Sequence, residues 1–559
     1  MTNPERFTRW ISNYCERFLQ QAIISRPMAQ PNDGSGRAPV AIVRPTTSVT
    51  SGVVVTQKLV GAAVAFGNLI SGTFGPNGLD KMLYKTNGEA AVTNDGAKIV
   101  SELLVKHPAA KAFVLLAESQ ENAFGDGVTG CLIFASELMR EAGRLLEKGL
   151  NPLVLVNGYR SALQHTLLHL ETVEQKISID DTERLISVAK TSLSGTSAET
   201  SSDELAKIIV AASKQVANLT ENNHIVNTED IRMAKSGMGS ISDTRLVKGM
   251  VLERRLKSDR LPRNLSKGKV AILSCPVELQ QTSRDSEVEI STPEQWESFI
   301  QAEQDILDSK SEKIIASGAQ ILFCAENIDD RIMHKLVDHG IFILDGLERS
   351  GTEDLALATG AEMINHIDDL TDESLGQFET MSITRVEDSN EPRDRITLEV
   401  GEHSKISTID VGGGDGVASE EIIRGMYDAL RSVCAAIECG SVICGGGSLH
   451  MSASLFVREK AELNPGRERL AMEAFARALE SIPATLASNA GQHRLDALLS
   501  LRALQRNNTS NSGINKKGEA GALKDVLECG DTIAHAIEAA CETACGLLRV
   551  DQVISARGD

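Results

Sequence analysis

Gly75-Pro76-Asn77-Gly78-Leu79-Asp80-Lys81, Thr93-Asn94-Asp95-Gly96, Gly125-Asp126-Gly127-Val128-Thr129-Gly130 and Gly445-Gly446-Gly447-Ser448 are the runs whose residue types and spacing could do chemistry. That chemistry is phosphate binding. Glycine has no Cβ, so its backbone N–H groups can come close to an anion, and a helix N-terminus adds the positive end of its dipole. The third run stands directly before the apolar stretch Cys131-Leu132-Ile133-Phe134-Ala135, and the fourth also precedes a predicted helix. An aspartate beside such a loop can hold Mg²⁺, which prefers carboxylate, phosphate and water oxygens. No run has the Walker A spacing, and none sits in the strand–glycine loop–helix unit of a dinucleotide site. Taken singly, each run is an ordinary turn. Their recurrence in one chain points to a nucleotide site. A fifth run, Gly412-Gly413-Gly414-Asp415-Gly416, reads as a turn.

The elements that must position these runs are helical toward both chain ends. Val55, Leu59, Ala63, Phe66 and Ile70 recur every three to four residues, which predicts a helix over 53–72. Further helices are predicted over 97–107, 128–149, 464–480, 485–504 and 531–548. The middle changes character. Residues 270–274, 321–325 and 341–345 are short apolar runs that read as buried strands, with helices over 293–317, 329–339 and 351–360 between and after them. This alternation predicts a small α/β domain inserted into a helical module that is split between the chain ends. The polar segment 276–292 leads into an amphipathic helix bearing Trp296, Phe299, Ile300, Ile306 and Leu307, whose apolar face either packs on the domain or meets a partner. Residues 505–530 read as a surface loop or hairpin.

The chain has 559 residues, 42% of them apolar and 24% charged. At about 150 residues each, that length corresponds to three or four domains. A net charge of −20 repels phosphate backbones and argues against a general nucleic-acid binder. Aromatic residues, at 3%, are too thin for a stacking surface. No run of about 18 uninterrupted apolar residues predicts a membrane span. The N-terminus lacks a signal-peptide core, and Glu5 and Glu16 argue against a transit peptide. Residues 1–27 read as an extension outside the fold or as a misplaced start ahead of Met28. The ten cysteines include no CxxC, and most stand in apolar runs, which predicts buried, reduced thiols in a reducing compartment. Cys541 and Cys545 lie one helical turn apart, but two thiolates do not complete a zinc site.

The glycine–aspartate runs occur in the order and spacing of the group II chaperonins, the archaeal thermosome and eukaryotic cytosolic chaperonin subunits, and the chain resembles that family. The resemblance is carried by GTFGPNGLDKML, VTNDGAKIV, VKHPAAK, FGDGVTG, KSGMGSISDTRLVKGMVL, ASGAQILFCAENIDD, RGMYDAL, ICGGGSLHMSASL, ERLAMEAFARALESIPATLASNAG and LLRVDQVI, spread from about residue 42 to 556. It implies a multidomain, mainly α subunit with an α/β insert. In that three-domain plan, residues 1–41 are an extension and flexible arm, and 42–164 with 438–559 form an equatorial ATP-binding domain. Residues 165–235 with 406–437 form an intermediate domain. Residues 236–405 form an apical substrate-binding domain whose protrusion, about 280–317, closes as a lid. The implied function is an ATP-dependent chaperone that encloses non-native proteins in two stacked rings of identical or paralogous subunits. ATP and Mg²⁺ would be its cofactors and the cytoplasm its compartment, with no role for nucleic acid or membrane.

The resemblance also implies roles for single residues. Gly75, Pro76 and Gly78 match the first phosphate-side loop, and Gly96 joins the nucleotide-binding set. Asp126 matches the Mg²⁺-binding aspartate, Gly127 and Thr129 match phosphate contacts, and Gly446 and Gly447 match nucleotide-binding glycines. Asp95 and Asp428 match the acidic residues associated with the attacking water. The chain departs from the family pattern at Val128, where a threonine is usual, at Thr196, where many members have lysine, at Tyr427, usually histidine, and at His450, usually glutamate. The arginine that commonly precedes the glycine pair near 412 is also missing. These departures bear on hydrolysis rate and coupling. They define the alternative reading, a specialised subunit that binds nucleotide, hydrolyses it poorly and serves as a ring component.

Overall fold

The computed structural model describes residues 48–84, 90–103, 105, 107–219, 224–237, 239–279, 292–386, 393–414, 417–507 and 511–555. The expectations for residues 1–41, for the 280–291 part of the protrusion and for Asp415-Gly416 therefore lie outside the described residues. The chain divides into two compact units. The smaller, Met1–Thr50 with Val553–Asp559, carries the two-stranded pairing of Ser48–Ser51 with Gln552–Ser555. The larger, Ser51–Gln552, contains everything that follows.

Helices from both ends of the sequence form one packed layer. Val53–Ile70 buries Val55, Leu59, Ala63, Phe66 and Ile70, the face its spacing predicts, and packs on Val128–Glu147. Residues 54–73 are long and apolar enough to cross a membrane by length and composition alone, and one face of the helix is packed in this layer. Glu468–Leu479 and Gly530–Leu548 pack on the same Val128–Glu147 helix from the other end of the chain. At the centre, the Phe475 ring meets Phe134 edge-on at 5.4 Å and Tyr159 at 5.8 Å, all three buried.

Two predicted helices are corrected. The one expected over 97–107 stops at Ser101, and a helix that sequence reading missed opens at Pro108 and runs to Phe124. Proline lacks the N–H that an internal helical position needs, so it starts a helix rather than continuing one. His107 Nδ1 caps this start by accepting from the Ala109 N–H at 3.3 Å. The helix expected over 485–504 is two, Ser481–Asn489 and Arg494–Arg506, separated at Gly491, whose φ of +80° ends a helix.

A second apolar core joins the helices Thr182–Leu193, Ser202–Val216 and Val417–Cys439 to a three-stranded sheet. Its strands run in the order Ile231–Gly237, Ser407–Gly414, Arg245–Val247. The turn expected at 412–416 is corrected here, because Gly412–Gly414 are the end of a strand with a register shift after Val411. A Cβ at Gly412 would strike the Ser240 carbonyl, which accounts for the glycine.

The α/β region is a mixed sheet whose main path runs Phe342–Leu344, Ile321–Cys324, Asn264–Leu273, Gly376–Val386, Arg393–Glu399, Gly249–Arg254. The three predicted strands are its parallel half, buried on both faces. In the antiparallel half, Gly376–Val386 alternates in burial and Arg393–Glu399 buries the polar Asp394, Arg395 and Thr397 beside Ile396 and Leu398, so neither gives a continuous apolar run to read. Helix Pro293–Ala316 buries Leu307 and Ile314 and leaves Trp296, Phe299, Ile300 and Ile306 exposed. The region is tied to the three-stranded sheet by Arg395. It pairs with Asp410, reaches Glu253 at 2.6 Å and donates to the Lys235 carbonyl, and both Arg395 and Asp410 are buried.

Residues 505–530 contain the expected hairpin, Ser512–Ile514 with Ala520–Ala522, followed by Leu527–Cys529, which pairs with Ser441–Cys444. Every described cysteine is reduced, and all are buried except Cys275 and Cys439, which are half-buried. Cys15 lies outside the described residues.

Candidate active site

A cavity of about 460 Å³ gathers residues from both chain ends and from the long helix Val417–Cys439. Of the residues singled out from sequence, Gly75, Pro76, Asp95, Asp126, Gly127, Thr129, Asp428, Gly446 and Gly447 line it, as do Val128, Thr196 and His450. Gly78 and Gly96 stand one layer behind. Gly78 closes the Gly75–Gly78 turn through its N–H to the Gly75 carbonyl at 2.9 Å. A Cβ at Gly96 would sit 2.5 Å from Thr129 Oγ1.

The glycine loops produce open donors. Gly127 (φ +79°) precedes the 20-residue helix Val128–Glu147, and Gly447 (φ +72°) precedes the 15-residue helix Ser448–Glu462. Neither helix start has a side-chain cap, so first-turn N–H groups and the positive dipole ends face the cavity lining. Such a start is an anion site. The Gly75 loop is held from behind by Asn489, whose Nδ2 donates to the Ser71 and Phe74 carbonyls at 2.9 and 2.8 Å.

The same cavity concentrates negative charge. Asp126 accepts from its neighbour Gly127 N–H and from Ser432 Oγ, both at 2.6 Å. Asp95 caps the short helix Gly96–Ser101, accepting from the Ala97 and Lys98 N–H groups at 2.8 and 3.2 Å. Asp428 and Glu121 complete the group. Burial, then Asp95, Asp126 and Glu121, push the Asp428 carboxyl well above the usual carboxylate range. Burial and Asp95 push Glu121 up to about 7, with the Arg431 cation partly opposing them. Glu528, half-buried beside Gly446, is also raised to about 7, by desolvation and Asp126.

Carboxylates crowded in this way fit a cation arriving with a phosphate. No cluster of three His, Cys, Asp or Glu ligands is preformed among the described residues. That suits Mg²⁺, which takes one or two carboxylates and fills its octahedron with phosphate and water oxygens. Asp95, Glu121, Arg424 and Asp428 also border a second cavity of about 710 Å³, lined further by Lys98, Arg232 and Tyr427.

Sequence reading missed Glu121, Arg424, Ser432, Glu528 and Lys190. Glu121 stands one turn before Gly125, inside a helix with no glycine signal of its own. Arg424 and Ser432 share the Asp428 face at i−4 and i+4, which helical spacing from Asp428 could have found. Thr196, at the position where a lysine was expected, spends its hydroxyl on the Leu193 carbonyl at 2.7 Å and packs against Gly425. Lys190 is a cation in the lining close to it in sequence, and it pairs with Asp203.

Two uncapped helix starts and a carboxylate group, assembled from both ends of a helical layer around an α/β insert, define a nucleotide-binding protein of split-domain design. The chain belongs to the TCP-1/cpn60 chaperonin family, whose profile matches residues 66–558. It is 38% identical over 501 residues to a thermosome subunit of Methanopyrus kandleri, covering 89% of this chain and 91% of that one. It is 36% identical over 526 residues to the thermosome subunit beta of Archaeoglobus fulgidus, covering 93% and 95%. It is 34% identical over 528 residues to the thermosome subunit alpha of Thermoplasma acidophilum, covering 94% and 95%. As a member of that family, the chain is an ATP-dependent chaperonin subunit that works in a ring and binds substrate proteins.

Proposed function

We propose that this subunit hydrolyses ATP to drive closure of a lid over a non-native protein, within two stacked rings in the cytoplasm. The observation that carries the reading is the convergence of Asp95, Asp126 and Asp428 beneath two uncapped helix starts in one cavity. Residues 42–164 with 438–559 serve as the equatorial domain, 165–235 with 406–437 as the intermediate domain and 236–405 as the apical domain, with the protrusion at about 280–317. The exposed Trp296, Phe299 and Ile300 on the last of these suit contact with clients or lid neighbours.

Gly75, Pro76 and Gly78 shape one wall for the phosphates, and first-turn N–H groups of the helices that Gly127 and Gly446–Gly447 open bind their oxygens. Asp126 would hold Mg²⁺, which neutralises phosphate charge when bound. Asp95 and Asp428 orient the attacking water. Asp428, with its raised proton affinity, is the acceptor for the water's proton. Asp428 stands on the long Val417–Cys439 helix, so movement of that helix couples domain closure to hydrolysis. Val128 removes a hydroxyl and Thr196 a charge from the phosphate end, and both slow turnover without abolishing it.

The test is Asp428→Asn in the assembled protein. Nucleotide affinity should be retained and phosphate release lost. Parental turnover in the variant would rule out the assignment.

A further inference from the structure

Cys439 ends the helix that carries Asp428, and Cys529 ends the strand that carries Glu528. Their Sγ atoms stand 3.6 Å apart. Between them runs Ser441–Cys444, whose Val442 is the register partner of Cys529 and which leads directly into Gly445–Gly447. Cys529 lines the nucleotide cavity, and Cys439 is half-buried beside it. Nothing in the hydrolytic reading uses either thiol.

We propose that Cys439 and Cys529 are a redox-modification site, a dithiol that a low-molecular-weight disulfide such as glutathione disulfide converts to an internal disulfide, tethering the Asp428 helix to the cavity wall and slowing nucleotide turnover. The part concerning turnover rests on the ATPase reading above.

The geometry assigns the two thiols different tasks. Cys439, the half-buried member of the pair, stands 3.6 Å from the Cys529 thiol, accepts at 3.4 Å from the Ser441 N–H and also lies 3.1 Å from the Ser441 carbonyl. The Cys529 thiol and the Ser441 N–H favour its thiolate and bring its pKa down to about 7, while Cys529 is pushed up. The thiolate, not the thiol, is the nucleophile. Cys439 therefore attacks one sulfur of the oxidant, breaking its S–S bond and releasing one glutathione thiolate. Cys529 then attacks the Cys439 sulfur of the mixed disulfide, its proton going to the second glutathione as that leaves. Two protein thiols are oxidised and one glutathione disulfide is reduced to two thiols. A disulfide needs its sulfurs about 2.05 Å apart, so closing from 3.6 Å takes roughly 1.5 Å of movement, shared between the two side chains and the segments that carry them. A displacement of that order at a reacting centre costs about tenfold to a hundredfold in rate.

The experiment treats the assembled protein with glutathione disulfide, blocks remaining thiols by alkylation and maps disulfides by mass spectrometry without reduction. Phosphate release is followed in parallel. The expected result is a peptide pair joined through Cys439 and Cys529, turnover about tenfold lower, and recovery with dithiothreitol. Cys439→Ser should show parental turnover and no response to the oxidant. A native protein in which this pair stays alkylated, or in which the disulfide maps to Cys541 and Cys545 instead, overturns the proposal. The cross-link with unchanged turnover overturns its regulatory part. A reduced protein that never releases phosphate would count against the ATPase reading, whereas the dithiol would still be judged by its mass.

Discussion

His450 offers a direct measurement of how dry the floor of the nucleotide cavity is. It lies buried in the first turn of Ser448–Glu462, and burial alone brings its pKa down from 6.5 to about 4. The unfolded chain therefore binds a proton between pH 6.5 and 4 that the folded chain refuses. Stability from this residue is complete above pH 6.5 and is lost as pH falls toward 4. One pKa unit corresponds to 1.36 kcal/mol, so the full loss is about 3 kcal/mol, and about 2 kcal/mol of it falls between pH 7 and pH 5. Many carboxylates also titrate over that interval, so the informative quantity is a difference. His450→Gln keeps a neutral polar side chain of similar size at both pH values. Unfolding of parent and variant should be followed in urea at pH 7 and pH 5, reading the transition of the helical layer. The parent should lose about 2 kcal/mol more than the variant across the interval. Equal losses would mean that His450 is protonated in the fold, and the picture of a dehydrated cavity floor would have to be given up.

Further outcomes follow from contacts already described. Gly195 has φ +81°, and a Cβ there would sit 2.7 Å from the Gly75 carbonyl oxygen. Gly195→Ala should displace the Gly75-Pro76 loop at a cost of about 1–2 kcal/mol, read as roughly tenfold weaker nucleotide binding with unchanged far-UV circular dichroism. Asp410→Ala leaves the buried Arg395 guanidinium with Glu253 as its remaining ion-pair partner. It should cost about 3 kcal/mol in urea unfolding of the α/β region. An Asp410→Ala protein as stable as its parent would show that this pair contributes nothing net.

The sequence declares some of this molecule far more openly than the rest. Helix Val53–Ile70 was legible because Val55, Leu59, Ala63, Phe66 and Ile70 keep one period, and that period is set by a single packed face. The parallel strands were legible because both faces of them are buried. Gly376–Val386 was not, because its residues alternate between core and solvent and one of its neighbours, Asn264–Leu273, lies more than a hundred residues earlier. The cavity divides in the same way. Gly127 and Gly447 announce themselves because a helix start with positive φ requires glycine. Glu121 and Glu528 look like ordinary surface carboxylates until tertiary packing buries them beside Asp126.

The split of the helical layer between the chain ends has a consequence for synthesis. Gly530–Leu548 packs on Pro108–Phe124 and Val128–Glu147, some four hundred residues earlier, and the Cys131 thiol donates to the Ala536 carbonyl across that span. On a ribosome, the first helices emerge long before their partners exist and must wait with apolar faces uncovered. The mixed sheet between residues 249 and 399 draws its strands from one continuous stretch and can close while the rest is still being made. A nascent chain of this subunit is therefore, for most of its synthesis, a non-native protein with exposed apolar helices. It presents to the cell the kind of surface that chaperonins exist to cover.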